Sequence, residues 1–253
     1  MTQRILLHAG MVKTGSTAIQ DFIWHRRAEM REIGIHYPDE GTLPQAHHRL
    51  FRGLAVDQEA FGSDAGLDGT DPIATAAVIR ETDAHTIILS SEWLWYPRPY
   101  PREVLARIRD EMFPGAEIVP LVYLRDPEKH LMSAYAQHVN GWQEGRMSLR
   151  EFRRFSYDQG FYDFDSRIED FRAVFGSVNV AAFPQEDVLM PFRRIVPGLP
   201  PGTLDRVNCR RSWGRTRLQR RANFLPGLPR RVANRLIRRA DRLLARFDTP
   251  PTA

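Results

Sequence analysis

Residues 5–23, ILLHAGMVKTGSTAIQDFI, pass from an aliphatic run through a short loop with Gly10 and Gly15 into a segment that opens at Ser16-Thr17. Strand, tight turn and helix in immediate succession constrain this chain more than any other stretch of it. Glycines let consecutive backbone N–H groups turn inward, and the positive end of the following helix adds to their field. Such a loop holds a phosphate-like anion. The spacing Gly10-x-x-x-x-Gly15 followed by hydroxyls imitates a Walker A loop, with one displacement: Ser16 follows the second glycine, and the lysine stands inside the loop at 13. Lys13 would therefore meet the anion near the bond between its terminal group and the neighbouring one, rather than along β- and γ-phosphates. The plainer reading is a strand-to-helix turn that uses glycine for geometry and Ser16 as the helix N-cap. The coincidence of strand, two glycines, lysine, hydroxyls and helix start favours the anion site.

The rest of the chain repeats the alternation. Strands are expected at Arg4 to His8, Thr86 to Ser90, Glu117 to Leu124 and Val178 to Phe183. Helices are expected from Ser16 to about Ile33, Pro72 to Asp83, Pro101 to Met112, Pro127 to about Asn140 and Asp163 to Phe175, the last closed by Gly176. Segments 36–70 and 93–101 read as loops or short helices above the sheet. The pattern predicts a three-layer α/β fold of P-loop-like type, with a central parallel sheet flanked by helices. We expect a single domain over 1–253 with an Arg-rich C-terminal segment from about 205. Cys209 is the sole cysteine, which excludes an internal disulfide and a cysteine-based zinc cluster. The first residues are too short an apolar run for a signal-peptide core, and no window approaches a membrane span, so a soluble, cytoplasmic protein is expected.

A second candidate segment is EIVPLVYLRDPEKHLMSAY. An apolar strand ends at Arg125, Asp126 caps a helix and Pro127 takes its first position. Arg125 then sits at the edge of an open α/β sheet where ligands bind. Ser133, seven residues after the cap, returns to about the face of Asp126 and would share an anion with Arg125. The alternatives are an ordinary ion pair for Arg125, or a Walker B strand with Asp126 on Mg²⁺; Pro127 and the missing Lys-Ser/Thr pair argue against the latter.

Taken together, the two segments resemble the nucleotide-binding motifs of the sulfotransferases that use 3′-phosphoadenosine 5′-phosphosulfate (PAPS). The stretch His8-x-Gly10-x-x-Lys13-Thr14-Gly15-Ser16-Thr17-x-Ile19-Gln20 resembles that family's 5′-phosphosulfate loop, and Arg125-Asp126-Pro127 through Ser133-x-Tyr135 resembles its 3′-phosphate motif. Residues 161–176 and 178–188 are similar to a later helix and strand, so the resemblance covers roughly residues 4–190. It implies transfer of a sulfonate from PAPS to a hydroxyl or amine of an unidentified acceptor: a carbohydrate, a lipid or a small molecule. Gly10, Lys13, Thr14, Gly15, Ser16 and Thr17 would bind the phosphosulfate, and Arg125 and Ser133 the 3′-phosphate. Lys13 would stabilise the leaving phosphate, and no metal is implied. Glu92, just past TIILSS, stands where family members place a catalytic His or Glu and is the first choice of acceptor base, with His48 and His47 as alternatives. Trp93, Trp95, Tyr96 and Tyr100 line an acceptor pocket or form a packing cluster, and His8 packs at the strand end. The rival readings are a P-loop kinase or nucleotide hydrolase, and an inactive sulfotransferase-like binding protein.

Charge is uneven. Residues 205–253 hold 14 Arg against Asp205, Asp241 and Asp248, a net of +11, whereas the preceding 204 residues hold 22 basic against 28 acidic groups, a net of −6. A mildly acidic body weakens a nucleic-acid reading, and no nucleic-acid partner is expected. Lys13 and Lys129 are the only lysines among 36 basic residues. From about Arg230 to Phe247, Val232, Leu236, Leu243 and Phe247 recur at helical spacing opposite an arginine stripe. This basic amphipathic helix would either close the core or touch an anionic membrane surface or partner. The Arg-Lys-Gly element of cytosolic family members has no clear counterpart, and Arg210 and Arg211 are weak substitutes.

Overall fold

In a computed structural model the described residues are 2–54, 71–95, 102–140, 145–183, 187–202, 204, 213–224 and 237. Tyr96, Tyr100, Cys209, Arg210, Arg211 and the amphipathic segment 230–247, apart from Ile237, lie outside them. In chain order the elements are β1 (Arg4–Gly10), α1 (Ser16–His25), α2 (Arg27–Glu32), β2 (Ile35–His36), α3 (His48–Arg52), α4 (Pro72–Arg80) and β3 (Thr86–Ser90). There follow α5 (Arg102–Arg107), which runs on into a π turn over Ile108–Met112, and β4 (Glu117–Arg125). Then come α6 (Pro127–Asn140), α7 (Leu149–Asp158), α8 (Phe164–Phe175), β5 (Asn179–Phe183), α9 (Met190–Ile195) and α10 (Trp213–Ala222). The chain forms two compact units, one of residues 1–125 and 161–207, the other of 126–160 and 208–253.

The first unit carries a five-stranded sheet in the order β2-β3-β1-β4-β5, with every pairing parallel. Helices cover both of its faces, as the sequence predicts. Alternation along the strands divides the core in two. Ile5, Leu7 and Ala9 of β1, with Ile87 and Leu89 of β3, pack against Ala76 and Ile79 of α4, Val104 and Leu105 of α5 and Phe171 and Val174 of α8. Leu6, Ile88, Leu121 and Tyr123 face the other way, onto Ile19, Phe22 and Ile23 of α1, Met30 of α2 and Phe192 of α9. In the strand order β1 is followed in sequence by strands on one side of it and β4 by β5 on the other, so the carboxyl ends of β1 and β4 flank the topological switch point, where open α/β sheets bind ligands. Pro120 is tolerated in this inner strand because β5 pairs with β4 only from Leu121 onward.

Several boundaries differ from expectation. The helix foreseen over 16–33 breaks at Arg26, whose φ of −109° and ψ of 9° leave the helical region. The N-cap of α1 is Gly15, not Ser16; Ser16 is the first helical residue and is buried. The helix from Pro72 ends at Arg80 and takes its cap from Asp71, whose side chain accepts from the N–H groups of Ile73 and Ala74.

The second unit is built from α6, α7 and α10. Asp126 caps α6 by accepting from the Lys129 N–H at 2.9 Å. Tyr135 and Val139 are buried on α6, and the Tyr135 ring lies 5.6 Å from that of Phe152 on α7. Asn140 donates to the Thr216 hydroxyl at 2.9 Å, and Asn223 to the carbonyls of Val139 and Gly145. Helix α7 begins with a reciprocal capping box between Ser148 and Glu151.

Candidate active site

The loop from Gly10 to Thr17 leaves the carboxyl end of β1 beside β4. Gly10 has φ +133°, and a Cβ there would stand 2.5 Å from the Tyr123 carbonyl oxygen and 2.6 Å from its nitrogen. Only glycine lets the two backbones run this close. Met11 extends the contact by donating to the Tyr123 carbonyl at 3.0 Å. Thr14 is buried and gives its hydroxyl proton to the Met11 carbonyl at 2.6 Å, which ties the loop to its own base, and Ser16 Oγ lies 3.4 Å from the same hydroxyl. Gly15 at φ +84° turns the chain into α1, whose positive end has no side-chain cap hydrogen bond.

Lys13 stands in left-handed backbone, φ 66°, alone among the described non-glycine residues. For an L-residue this costs about 1–2 kcal/mol. Its carbonyl is held by Arg125, whose guanidinium donates to it at 2.8 Å and lies 5.4 Å from the Phe183 ring. Arg125, foreseen as an anion ligand, is thus also a brace for the loop. Ser133, foreseen beside it, is half-buried on α6 and belongs to the second unit.

Glu92 begins a single 3₁₀ turn, Glu92–Trp95, directly after β3. The pairing of β1 with β3 sets His8 opposite Ser90, and the Ser91 N–H bonds the His8 carbonyl at 3.0 Å, so Glu92 starts at the strand end from which the loop departs. Its side chain is 13% exposed. Gln20 of α1 reaches it, donating to Glu92 Oε2 at 3.1 Å and to Ser90 Oγ at 3.0 Å. From α3, His48 Nε2 stands 3.6 Å from the same carboxylate oxygen, while its Nδ1 meets Ser91 Oγ at 2.9 Å. Ser91 Oγ accepts from the Trp93 N–H at 3.3 Å. Burial pushes the His48 pKa down, opposed by Glu92 and aided by Arg52.

The two neighbouring histidines are structural. His47 is fully buried, accepts the Ser90 N–H at Nδ1 at 3.1 Å and donates from Nε2 to the Pro38 carbonyl at 3.1 Å. Burial lowers its pKa to about 3, and with both nitrogens committed it is withdrawn as an alternative base. His8, lowered to about 4 by burial, packs edge-on against Tyr123 and Phe192 as the sequence suggests, its Nδ1 at 2.7 Å from Ser90 Oγ. Trp95 belongs to the core, packed on Phe164 and Phe171. Trp93 instead sits beside His48, with the Arg52 guanidinium over its ring at 5.0 Å.

The first unit therefore brings Lys13, the loop amides, Arg125, Glu92 and His48 to one edge of the sheet. Sequence reasoning missed the roles of Gln20, Ser90 and Ser91 in organising it. Among the described residues no group of three or more His, Cys, Asp or Glu could hold a metal ion, and no helix is long and apolar enough to cross a membrane.

No protein-family model matches the chain, and neither does any curated protein. Among solved structures, it is similar to a crystal structure of retinol dehydratase in complex with androsterone and inactive cofactor PAP, with a TM-score of 0.34 and 12% identity, over 70% of this chain and 53% of that one. The chain thus spans about half the length of that structure.

Proposed function

We propose that the chain is a sulfotransferase that moves a sulfonate from PAPS to a hydroxyl or amine of a carbohydrate, lipid or small-molecule acceptor. The observation that carries this reading is Lys13, held in left-handed backbone between two glycines by Arg125. Strain of this kind persists where the surroundings over-determine it, and it clusters at ligand clamps. Uncapped helix amides and two cations suit a donor with several negative charges, such as one carrying a phosphosulfate and a 3′-phosphate. The transferred S–O bond breaks toward the 5′-phosphate while a new one forms to the acceptor. Lys13 and the amides of residues 14–17 receive the charge that grows on the leaving phosphate. Arg125 takes the 3′-phosphate, and Glu92 accepts the acceptor's proton with His48 donating to its carboxylate.

Calorimetric titration with adenosine 3′,5′-bisphosphate, beside ATP with Mg²⁺, tests the donor site. The bisphosphate is expected to bind, and Arg125→Ala to weaken it by about 10–100-fold, the worth of one charge-assisted bond. Binding of ATP alone would replace the reading with a kinase or hydrolase, and binding of neither with an inactive fold.

A further inference from the structure

We propose that Gln20 is a positioning residue for Glu92, holding the carboxylate aimed from the helix that carries the anion loop. The inference rests on the reading of Glu92 as acceptor base. Gln20 is 5% exposed and sits among Ile19, Phe22 and Ile23 on the buried side of α1, where packing alone calls for an apolar residue. A buried amide is retained only if it is satisfied. Gln20 spends one proton on Ser90 Oγ at 3.0 Å and the other on Glu92 Oε2 at 3.1 Å. Ser90 is fixed in turn by His8 Nδ1 at 2.7 Å, so the amide cannot swing away without opening a buried pair.

The nitrogen end of Gln20 faces the carboxylate, which accepts from it, so the buried amide and the carboxylate hold each other in place. The other groups facing Glu92 are His48, with Arg52 beside it on α3, His8 from β1, and Tyr37 from the segment after β2. Burial keeps His8 and Tyr37 neutral at pH 7. Gln20 donates to this carboxylate at 3.1 Å, and His48 Nε2 stands farther off at 3.6 Å.

Gln20→Met keeps the volume and removes both donors. With ¹³C-labelled glutamate, the Glu92 carboxyl resonance is assigned by its loss in Glu92→Gln and compared between variants at pH 7. It is expected to move in Gln20→Met, because the carboxylate loses the donor at 3.1 Å. Affinity for adenosine 3′,5′-bisphosphate should not change. Gln20→Glu keeps the shape and turns both donors into acceptors, so the same resonance should move there too. This variant also decides the matter if Gln20→Met fails to fold. An unchanged Glu92 resonance in the folded variants overturns the proposal. Failure of the wild type to bind the bisphosphate would instead remove the donor reading, while the resonance still decides whether Gln20 positions Glu92.

Discussion

Gly10→Ala is expected to destabilise the protein far more than an ordinary glycine substitution, and Gly115→Ala is the internal standard. Gly115 has φ +77° with nothing within 4 Å of a built Cβ, so alanine there meets only the left-handed backbone penalty, about 1–2 kcal/mol. Part of this is offset by the stiffer unfolded chain, about 0.4–1 kcal/mol, which leaves a net loss of about 1 kcal/mol. At Gly10 the same backbone cost is joined by contacts of 2.5 and 2.6 Å to the Tyr123 backbone, which belongs to a strand and cannot rotate away. The end of β1 must move off β4 by about 1 Å to reach ordinary contact, and that costs the bond from Met11 N–H to the Tyr123 carbonyl, about 1 kcal/mol, together with local packing. A total loss of about 3–5 kcal/mol follows, in the range reserved for a few identifiable mechanisms. Urea unfolding of wild type and both variants, compared through their midpoints at constant slope, measures the difference. If Gly10→Ala lost no more than Gly115→Ala, the close approach of β1 and β4 would not be what demands glycine at this loop.

Other outcomes follow from the same geometry. Lys13→Gly should gain about 1 kcal/mol of stability by releasing the left-handed strain, yet lose transfer by about 10²–10³-fold because the leaving phosphate loses its cation; thermal melts and PAPS turnover read the two effects separately. Glu92→Gln should slow transfer by about 10²-fold or more while leaving bisphosphate affinity intact, and a normal rate would remove the base assignment. Stability should fall in mild acid. His8 and His47 have folded pKa values lowered to about 4 and about 3, so the unfolded chain takes up their protons first, near pH 6.5. Their contribution is complete above about pH 6.5 and falls by about 4 kcal/mol in sum between pH 7 and pH 5, which denaturant titrations at the two values would register.

The parts of the site that were legible in the sequence are those carried by consecutive residues. The anion loop is written in Gly10 through Thr17, and Arg125 could be placed because Asp126-Pro127 marks a strand end and a helix start within three positions. What depends on pairing between distant strands was not legible. The His8–Ser90 register brings Gln20 to Glu92 across 72 positions, and no local pattern announces it. His47 and His48 are adjacent and chemically identical, yet one is locked between Pro38 and Ser90 and the other faces a carboxylate, a difference made by tertiary packing. Among the elements not foreseen, two differ in the reason. Helix α7 carried a readable Ser148-x-x-Glu151 capping box that was passed over, whereas β2 is two residues long and offers no periodicity to read.

The stability and the chemistry of this edge of the sheet pull against each other at identifiable atoms. Lys13 would be more comfortable as glycine, Gln20 as a hydrophobe, and the N-terminus of α1 with a capping side chain. The first two departures are compensated by specific neighbours: Arg125 on the Lys13 carbonyl, and Ser90 and Glu92 on the Gln20 amide. A fold selected only to be stable would have no use for such compensations. Their convergence at the carboxyl ends of β1, β3 and β4 is the physical reason to look for chemistry there, independent of any likeness to another protein.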